Sequence, residues 1–357
     1  MKKLALILFL IGHSVNFAQN THISKETLKT AQQVAHDFQN SQNIAGMAIS
    51  VSKNGNLAWS EGFGYSNIES KQKVNPSITQ FRIASISKTI TALALAKLMD
   101  DGKLMLDESI YTYLPNFPKK KYDFTVRQVG GHIAGIRHYN GREFILNKKM
   151  SIVEGLNIFK NSPLKFEPGT NYSYSTYGWN LLSVVIQNAS DTEFNAYMNK
   201  EIFMPLNMLN TTLDLSDKDM PNRTLFYNKT NAGEVRLGPE VSNEHKVAGG
   251  GFIATSEDLI KFGNEIIKPT IISKNSLKEI LKEQQLNNGK GTGYGVGIGV
   301  SKSINKTKKF SHSGGGIGAT TLLLMYPEEG IVISIVTNVS GLPIRDFGEK
   351  LEAVFLK

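Results

Sequence analysis

The sequence contains no cysteine. Disulfides, thiolate catalysis and metal sites built on thiolates are therefore excluded. With 357 residues the chain is long enough to bury a substantial core, which must supply its stability instead.

The motifs of several common enzyme classes are also missing. No H-E-x-x-H pattern occurs, and the seven histidines lack zinc-ligand spacing. No G-x-S-x-G elbow occurs, which argues against an α/β-hydrolase. The glycines of "GTGYGVGIG" alternate, which is more typical of a strand that another backbone approaches closely than of a dinucleotide site. These absences exclude the zinc-protease, α/β-hydrolase and dinucleotide-binding designs that the motifs would mark.

The formal net charge is +9, but the lysines are scattered. The densest cluster is Lys119 to Lys121, without the basic stripe and interleaved aromatics of a nucleic-acid interface. The sequence predicts no nucleic-acid partner.

Long hydrophobic runs are absent except at the N-terminus, "MKKLALILFLIGHSVNFAQN". Two lysines, a short apolar stretch and Ala18 before Gln19 are typical of a cleavable signal peptide, and the apolar stretch is too short to span a bilayer. We expect residues 1–18 to be a signal peptide and the mature protein to be exported, periplasmic or secreted, with no membrane span. The alternative is an N-terminal anchor that is retained.

The rest of the chain is β-rich at both ends and helical in between. A helix with apolar Leu28, Ala31, Val34, Ala35 and Phe38 is followed by a hairpin at "KNGN". A second helix should stop at Gly102, a further helix should be capped by Ser256, and late β-rich runs precede a closing helix, "IRDFGEKLEAVFLK". We predict a single α/β (α+β) domain over 19–357. An antiparallel sheet is flanked by helices, with an inserted all-helical lobe at about 103–245.

The second helix opens with "FRIASISK", which places Ser85 and Lys88 one helical turn apart. A lysine buried against an apolar helix can lose its charge and act as the base for a serine nucleophile. The alternative is a capping serine and a lysine that reaches water, because S-x-x-K is a weak motif by itself.

Further along, "PGTNYSYST" precedes another apolar helix, and "VRQVGGHIAGI", "AGGGFIATSEDL", "YGVGIG" and "HSGGGIG" complete a set of six landmarks. In this order they resemble the serine β-lactamase and penicillin-binding protein superfamily, in its class C β-lactamase-like branch. That branch includes D,D-peptidases, D-aminopeptidases, esterases and LACTB-type serine peptidases. The resemblance covers nearly all of the chain after the signal peptide.

The resemblance implies a role for each matching residue. Ser85 is the acylated nucleophile, Lys88 its partner and Tyr174 a general base and acid. The backbone N–H groups of Ser85 and Gly315 form an oxyanion hole, and substrate lies along Thr176, His312, Ser313 and Gly314. No metal or cofactor is implied.

Three departures bear on the substrate. His312 replaces the lysine of K-T-G, and Thr176 replaces the asparagine of Y-x-N, which resembles peptidase members more than efficient β-lactamases. "GGHIAG" replaces L-S-H-T-S-G, so Gly130 and Gly131 precede His132 in a segment that could loosen a loop beside the cleft. Arg137 is a candidate anchor for an anionic group, or a structural residue.

The predicted function is an exported serine hydrolase that acts through an acyl-enzyme on peptide or D-amino-acid amide bonds. Hydrolysis of β-lactams or esters uses the same chemistry and stays open, as does a non-catalytic protein that binds penicillin or cell-wall peptides. The substrate is a small molecule or a peptide. The sequence leaves its identity and the oligomeric state open, and also whether the protein stays in the periplasm.

Overall fold

The computed structural model describes residues 23–230 and 232–357. The predicted signal peptide lies outside the described residues. The helices are α1 Lys25–Ser41, α2 Ile86–Asp100, α3 Ile110–Tyr113, α4 Val126–Gly130, α5 Ile152–Gly155, α6 Thr176–Ser190, α7 Phe194–Met198, α8 Ser256–Ile267, α9 Lys274–Leu281 and α10 Ile344–Phe355. The strands are β1 Gly46–Lys53, β2 Asn56–Asn67, β3 Gln72–Lys73, β4 Phe81–Arg82, β5 Thr212–Leu213, β6 Tyr227–Lys229, β7 Val235–Leu237, β8 Phe252–Ala254, β9 Gly299–Lys302, β10 Lys308–Gly316, β11 Ala319–Tyr326 and β12 Ile331–Thr337.

The main sheet joins both ends of the chain. Its strand order is β3-β2-β1-β12-β11-β10-β9, and each neighbouring pair is antiparallel. The central pair aligns β1 with β12 from Met47 opposite Thr337 to Lys53 opposite Ile331. The predicted pairing of the early hairpin with the late strands is thus confirmed, as is the mixed fold class with helices flanking an antiparallel sheet.

Alternation along the central strands buries both faces of this sheet. Ile331, Ile333 and Ile335 of β12 face a core shared with α1 and α10. Val332 and Val336 face the larger core, which contains α2, α6 and α8. The result is a three-layer domain with the catalytic candidates on the side of the larger core.

Local signals place most of the boundaries. Asn54 and Gly55 form the predicted turn with φ of 53° and 83°, and Gly102 follows α2 with φ of 66°. The predicted N-cap of α8, Ser256, was wrong by one residue. The side chain of Thr255 accepts a hydrogen bond from the backbone N–H of Asp258 and caps the helix. The lobe at about 103–245 is not all-helical as predicted, because β5 pairs with β8 and β6 pairs with β7.

The glycine-rich run before β9 differs from the strand that its alternation predicted. Only Gly299–Lys302 joins the sheet. The residues before it form a turn, in which the N–H of Gly295 donates to the carbonyl oxygen of Ile298. Gly297 has φ of 75°, and a Cβ there would lie 2.7 Å from the Trp179 ring and 2.9 Å from the Lys88 carbonyl oxygen. The expected close approach is therefore present, but to α2 and α6 in a turn.

Candidate active site

A sharp backbone turn presents Ser85 at the start of α2. Ala84, which precedes it, has φ of 45°, a left-handed conformation that costs a non-glycine residue about 1 kcal/mol or more. Ser85 occupies the N-cap position, yet its side chain makes no capping hydrogen bond. The alternative in which Ser85 serves as a helix cap is therefore wrong, and its hydroxyl is left for another partner.

Lys88 lies one turn further along the helix and is fully buried, so it does not reach water. Its Nζ lies 3.0 Å from Ser85 Oγ and 3.2 Å from Thr176 Oγ1, and it donates to the backbone carbonyl oxygen of Gly249. The structure thus brings together three residues that lie far apart in the sequence around one amine.

Burial lowers the pKa of Lys88 well below its ordinary value. In the neutral form the amine has two N–H donors and one lone pair. A carbonyl oxygen only accepts, so Gly249 takes one N–H, and Thr176 Oγ1 is placed to accept the other. The lone pair is then available to the Ser85 hydroxyl, which is the arrangement a general base requires.

Tyr174 closes the site from the segment that leads into α6. Its ring lies against Lys88, with Nζ 4.9 Å from the ring centroid. Burial raises the pKa of the Tyr174 phenol, and the neighbouring Ser85 side chain acts in the opposite direction. The phenol is therefore protonated at neutral pH and is suited to pass a proton rather than to act as a phenolate.

Two histidines accept backbone N–H groups from the two residues that follow Tyr174. His132 Nδ1 accepts the backbone N–H of Ser175 at 3.2 Å, and His138 Nδ1 accepts that of Thr176 at 3.1 Å. Burial and the nearby Lys88 lower the pKa of both, that of His138 to about 4. Both rings are thus neutral at pH 7, as acceptor roles require.

His312 carries no charge toward the substrate. Burial lowers its pKa to about 3, with a further contribution from Lys88. Its Nδ1 lies 2.7 Å from the Ser313 carbonyl oxygen, to which it donates, so Nε2 accepts the hydroxyl of Tyr294 at 2.7 Å. The ring is fixed in one neutral tautomer, which agrees with the absence of charge expected where the family has lysine.

The remaining candidates lie along β10. Ser313 Oγ lies 3.4 Å from a guanidinium nitrogen of Arg345, and Gly315 is exposed toward the cleft. Gly314 has a packing role, because a Cβ there would lie 2.4 Å from the Ile83 carbonyl oxygen. Its lack of a side chain lets β10 pack against the turn that presents Ser85.

Two cavities meet at Ser85, and Ser85, Tyr174 and Gly315 line both. The sheet-side cavity has a volume of about 590 Å³ and is also lined by Tyr172, Tyr294, Lys309, His312, Ser313, Arg345, Glu349 and Glu352. The loop-side cavity has a volume of about 470 Å³ and is also lined by Arg82, His138, Tyr139, Phe144, Thr176, Asn243, Lys246 and Gly249. A substrate attacked at Ser85 would thus extend in two directions.

The glycines of "GGHIAG" are packed rather than loose. Gly130 ends α4, and a Cβ there would lie 2.6 Å from Val296 Cγ1. A Cβ at Gly131 would lie 2.6 Å from Gln284 Cγ. These contacts give the departure from the family pattern a physical reason, in place of the loosened loop that the sequence suggested.

Arg137 is structural. Its five N–H groups donate to Glu143 at 2.7 and 3.0 Å, to the carbonyl oxygens of His138 and Ile158, and to Ser162 Oγ. These partners occupy the group fully, so it does not offer a free cation to a substrate.

Sequence reasoning missed several groups that the structure brings to the site. They are the Gly249 carbonyl, Tyr294, Lys246 and the backbone-holding roles of His132 and His138. "AGGG" and "YGVGIG" marked the first two regions as landmarks, but no local pattern assigns them a contact. Within residues 23–230 and 232–357, no group of three or more histidine or acidic side chains is arranged to hold a metal ion.

The family model described as Beta-lactamase matches residues 31–356. The chain belongs to the beta-lactamase family. This family comprises serine hydrolases, which agrees with the resemblance seen in the sequence motifs. The mitochondrial serine beta-lactamase-like protein LACTB of Homo sapiens is 28% identical, over 92% of this chain and 80% of its own length. Penicillin-binding protein 4* of Bacillus subtilis is 26% identical, over 81% of this chain and 67% of its own length.

Solved structures show that this beta-lactamase family member has the fold of the penicillin-binding proteins. The octameric penicillin-binding protein homologue from Pyrococcus abyssi superposes with a TM-score of 0.80 at 23% identity, over 92% of this chain and 77% of that one. D-amino acid amidase from Ochrobactrum anthropi, complexed with D-phenylalanine, gives a TM-score of 0.81 at 20% identity, over 93% and 99%. No helix in the part of the chain that the structure describes is long and apolar enough to cross a membrane.

Proposed function

We propose that the protein is an exported serine hydrolase that forms an acyl-enzyme on Ser85 and cleaves peptide or D-amino-acid amide bonds. The observation that carries the proposal is the 3.0 Å contact between Ser85 Oγ and the buried amine of Lys88. A hydroxyl beside an amine with a depressed pKa is an activated nucleophile.

The first half of the cycle transfers the acyl group to Ser85. The hydroxyl proton passes to Lys88 Nζ as Oγ attacks the substrate carbonyl carbon. The resulting oxyanion is placed toward the backbone N–H groups of Ser85 and Gly315, donors of a kind that each contribute about 10²–10³ in rate. The carbon–nitrogen bond breaks as the amine leaves with a proton that comes from Lys88 by way of the Tyr174 hydroxyl.

The second half releases the acid. A water molecule loses a proton to the Lys88–Tyr174 pair and attacks the ester carbonyl, and Ser85 Oγ leaves with that proton. The net reaction consumes one water and yields a carboxylic acid and an amine. Neither half needs the phenolate form of Tyr174, which the raised pKa disfavours.

The amide preference rests on His312 and on the printed name of one structural neighbour. A neutral ring with both nitrogens engaged stands where β-lactamases have a charged lysine. The neighbour named D-amino acid amidase shares the fold, and its complexes hold phenylalanine and its amide. Both favour small amino-acid amides over β-lactams as substrates.

The test is intact mass of the protein after incubation with a neutral fluorophosphonate and, separately, with penicillin. We expect a covalent adduct from the fluorophosphonate in the wild type and none in Ser85→Ala. A penicillin adduct that persists agrees with an amidase, whereas rapid turnover of penicillin favours β-lactam hydrolysis. Absence of any adduct would contradict the proposal and favour a non-catalytic binding protein.

Export has a separate test. The full chain is expressed and the intact mass of the recovered protein is measured, and loss of residues 1–18 by cleavage before Gln19 is expected.

A further inference from the structure

The charges that line the two cavities are distributed unequally. The sheet-side cavity is balanced, with Lys309 and Arg345 opposite Glu349 and Glu352, and Lys309 is paired with Glu352 at 2.9 Å. The loop-side cavity is lined by two cationic side chains, Arg82 and Lys246, and among the described residues no aspartate or glutamate lines it.

Arg82 already has an ion-pair partner of its own. Its Nε donates to Asp214 at 2.6 Å, an Nη donates to the Ile317 carbonyl oxygen, and the guanidinium stacks on Phe226 with 3.6 Å to the ring centroid. Asp214 is in turn shared with Arg223. Arg82 is therefore already held by a carboxylate, although it lines the cavity.

Lys246 is different. Its side chain is 5% exposed, and its ammonium donates to the Phe144 carbonyl oxygen at 2.8 Å while facing the Tyr139 ring at 5.6 Å. Within residues 23–230 and 232–357 no carboxylate forms an ion pair with Lys246. The nearby Asp214 is engaged by two arginines, and Glu244 accepts from Ser216 and Ser242. Two of its three N–H donors therefore have no protein acceptor there.

A buried ammonium without a counter-ion is costly unless a ligand supplies one. Phe144 and Tyr139, the groups that hold Lys246, line the same cavity as Ser85. A bound anion would therefore lie in a space that continues directly to the reacting carbonyl.

We propose that Lys246 is a specificity-determining residue that binds a carboxylate of the substrate in the loop-side cavity. The inference rests on the proposed hydrolase function and adds the substrate class: amino-acid amides or peptides that carry a carboxylate near the bond that is cleaved. That carboxylate is either the C-terminal group of the leaving residue or an acidic side chain on the acyl residue.

Matched substrate pairs distinguish the two sources. The first pair is N-acetyl-alanyl-alanine and its C-terminal amide. The second is the N-acetyl-aspartate and N-acetyl-asparagine p-nitroanilides, and each compound is made with D- and with L-residues. If the enzyme prefers the charged compound only in the first pair, Lys246 binds the C-terminal carboxylate of the leaving residue. If it does so only in the second pair, Lys246 binds the acidic side chain of the acyl residue.

The variant is Lys246→Met, which keeps the length of the side chain and removes its charge. We expect kcat/KM to fall roughly 10- to 100-fold for the carboxylate member of one pair, with less than a threefold change for its neutral partner. Lys120→Met is the matched control, because Lys120 is also a partly buried lysine that donates to a backbone carbonyl, at 2.9 Å, and lines neither cavity. It should leave both members of each pair unchanged.

Fluorophosphonate labelling of Ser85 separates failure of the inference from failure of the proposed function. Labelling together with equal turnover of both members of each pair would overturn the role of Lys246 and leave the hydrolase standing. An equal loss on charged and neutral substrates in a labelled Lys246→Met variant would also overturn it, since Lys246 would then be structural. If the wild type neither labels nor turns over any substrate, the hydrolase proposal fails and this inference fails with it.

Discussion

The hydroxyl of Tyr294 donates to Nε2 of His312 across 2.7 Å, inside a buried cluster of aromatic and histidine rings. Nδ1 of the same ring donates to the Ser313 carbonyl, which can only accept, so Nε2 carries no proton and takes the Tyr294 hydroxyl as its donor. The bond from Tyr294 also links the glycine-rich turn before β9 to the strand that carries Gly315.

Tyr294→Phe removes this donor and leaves Nε2 of His312 without a partner in a buried position. We expect the free energy of unfolding to fall by about 1–3 kcal/mol, the cost of an unsatisfied buried group. Urea denaturation followed by circular dichroism measures it. Tyr122→Phe is a control, since Tyr122 is only half-buried and lies outside this cluster. Equal stability of the two variants would show that the hydrogen bond from Tyr294 to His312 adds nothing measurable to the free energy of unfolding.

The depressed pKa of Lys88 sets the acid limb of the pH–rate profile. In the proposed cycle the free amine is the base, so kcat/KM should be constant above the lowered pKa and fall tenfold per pH unit below it. Lys88→Met should lose about 10²–10⁴ in kcat/KM, and Lys88→Arg, whose charge cannot be removed, should be as inactive. An active Lys88→Arg variant would contradict proton transfer to this side chain.

The same shift affects stability in a definite direction. Lys88 binds a proton in the unfolded chain up to its ordinary pKa but releases it at lower pH in the folded protein, so the unfolded state holds more protons between the two values. The contribution of Lys88 to stability should therefore rise with pH across that window, and Lys88→Met should remove it. Denaturation curves at several pH values for the two proteins provide the comparison.

His138 positions the start of α6 through the backbone of Thr176. His138→Ala leaves that N–H unpaired and lets Tyr174 and Thr176 shift, and misplacement by about 1 Å can cost 10²-fold in rate. His138→Asn offers a carbonyl oxygen in place of Nδ1 and should restore much of the activity. The readout is kcat for a neutral amide, with KM largely unchanged. Failure of Asn to rescue would point to a role of the ring other than accepting this hydrogen bond.

Selectivity for carboxylate substrates should weaken at alkaline pH. Burial and Arg82 lower the pKa of Lys246 to about 8, although Asp214 and Glu244 act in the opposite direction. The ammonium that attracts a carboxylate is therefore present below about pH 8 and lost above it, while the carboxylate itself stays ionised throughout. The ratio of kcat/KM for a matched charged and neutral pair should fall as the pH rises from 7 to 9, and a flat ratio would contradict the assignment.

Local sequence patterns were sufficient to predict helix ends and turns, but they did not predict the contacts between residues that lie far apart in the sequence. Asn54-Gly55 and Gly102 place a hairpin and a helix end through backbone conformations that few other residues adopt. The nucleophile and its lysine were also predictable as a pair, because one helical turn joins them. The third partner of that lysine, the Gly249 carbonyl, lies 161 positions away and is a backbone atom that carries no side-chain signal. The missing counter-ion of Lys246 is likewise a property of the packed cavity, because acidic residues such as Glu244 are adjacent in sequence yet turned elsewhere.

The central pairing of β1 with β12 determines when this chemistry becomes available. The N–H of Gly46 donates to the side chain of Asn338 across 292 positions, so the sheet closes only after nearly the whole chain has been made. Contacts of such long range form slowly. The edge of β1 that pairs with β12 stays unpaired until the ribosome has synthesised the C-terminal strands. Ser85 is synthesised early, but β10, which carries Gly315, arrives among the last strands. A nascent or truncated chain thus contains Ser85 without the Gly315 N–H, so the proposed acyl transfer requires the completed chain.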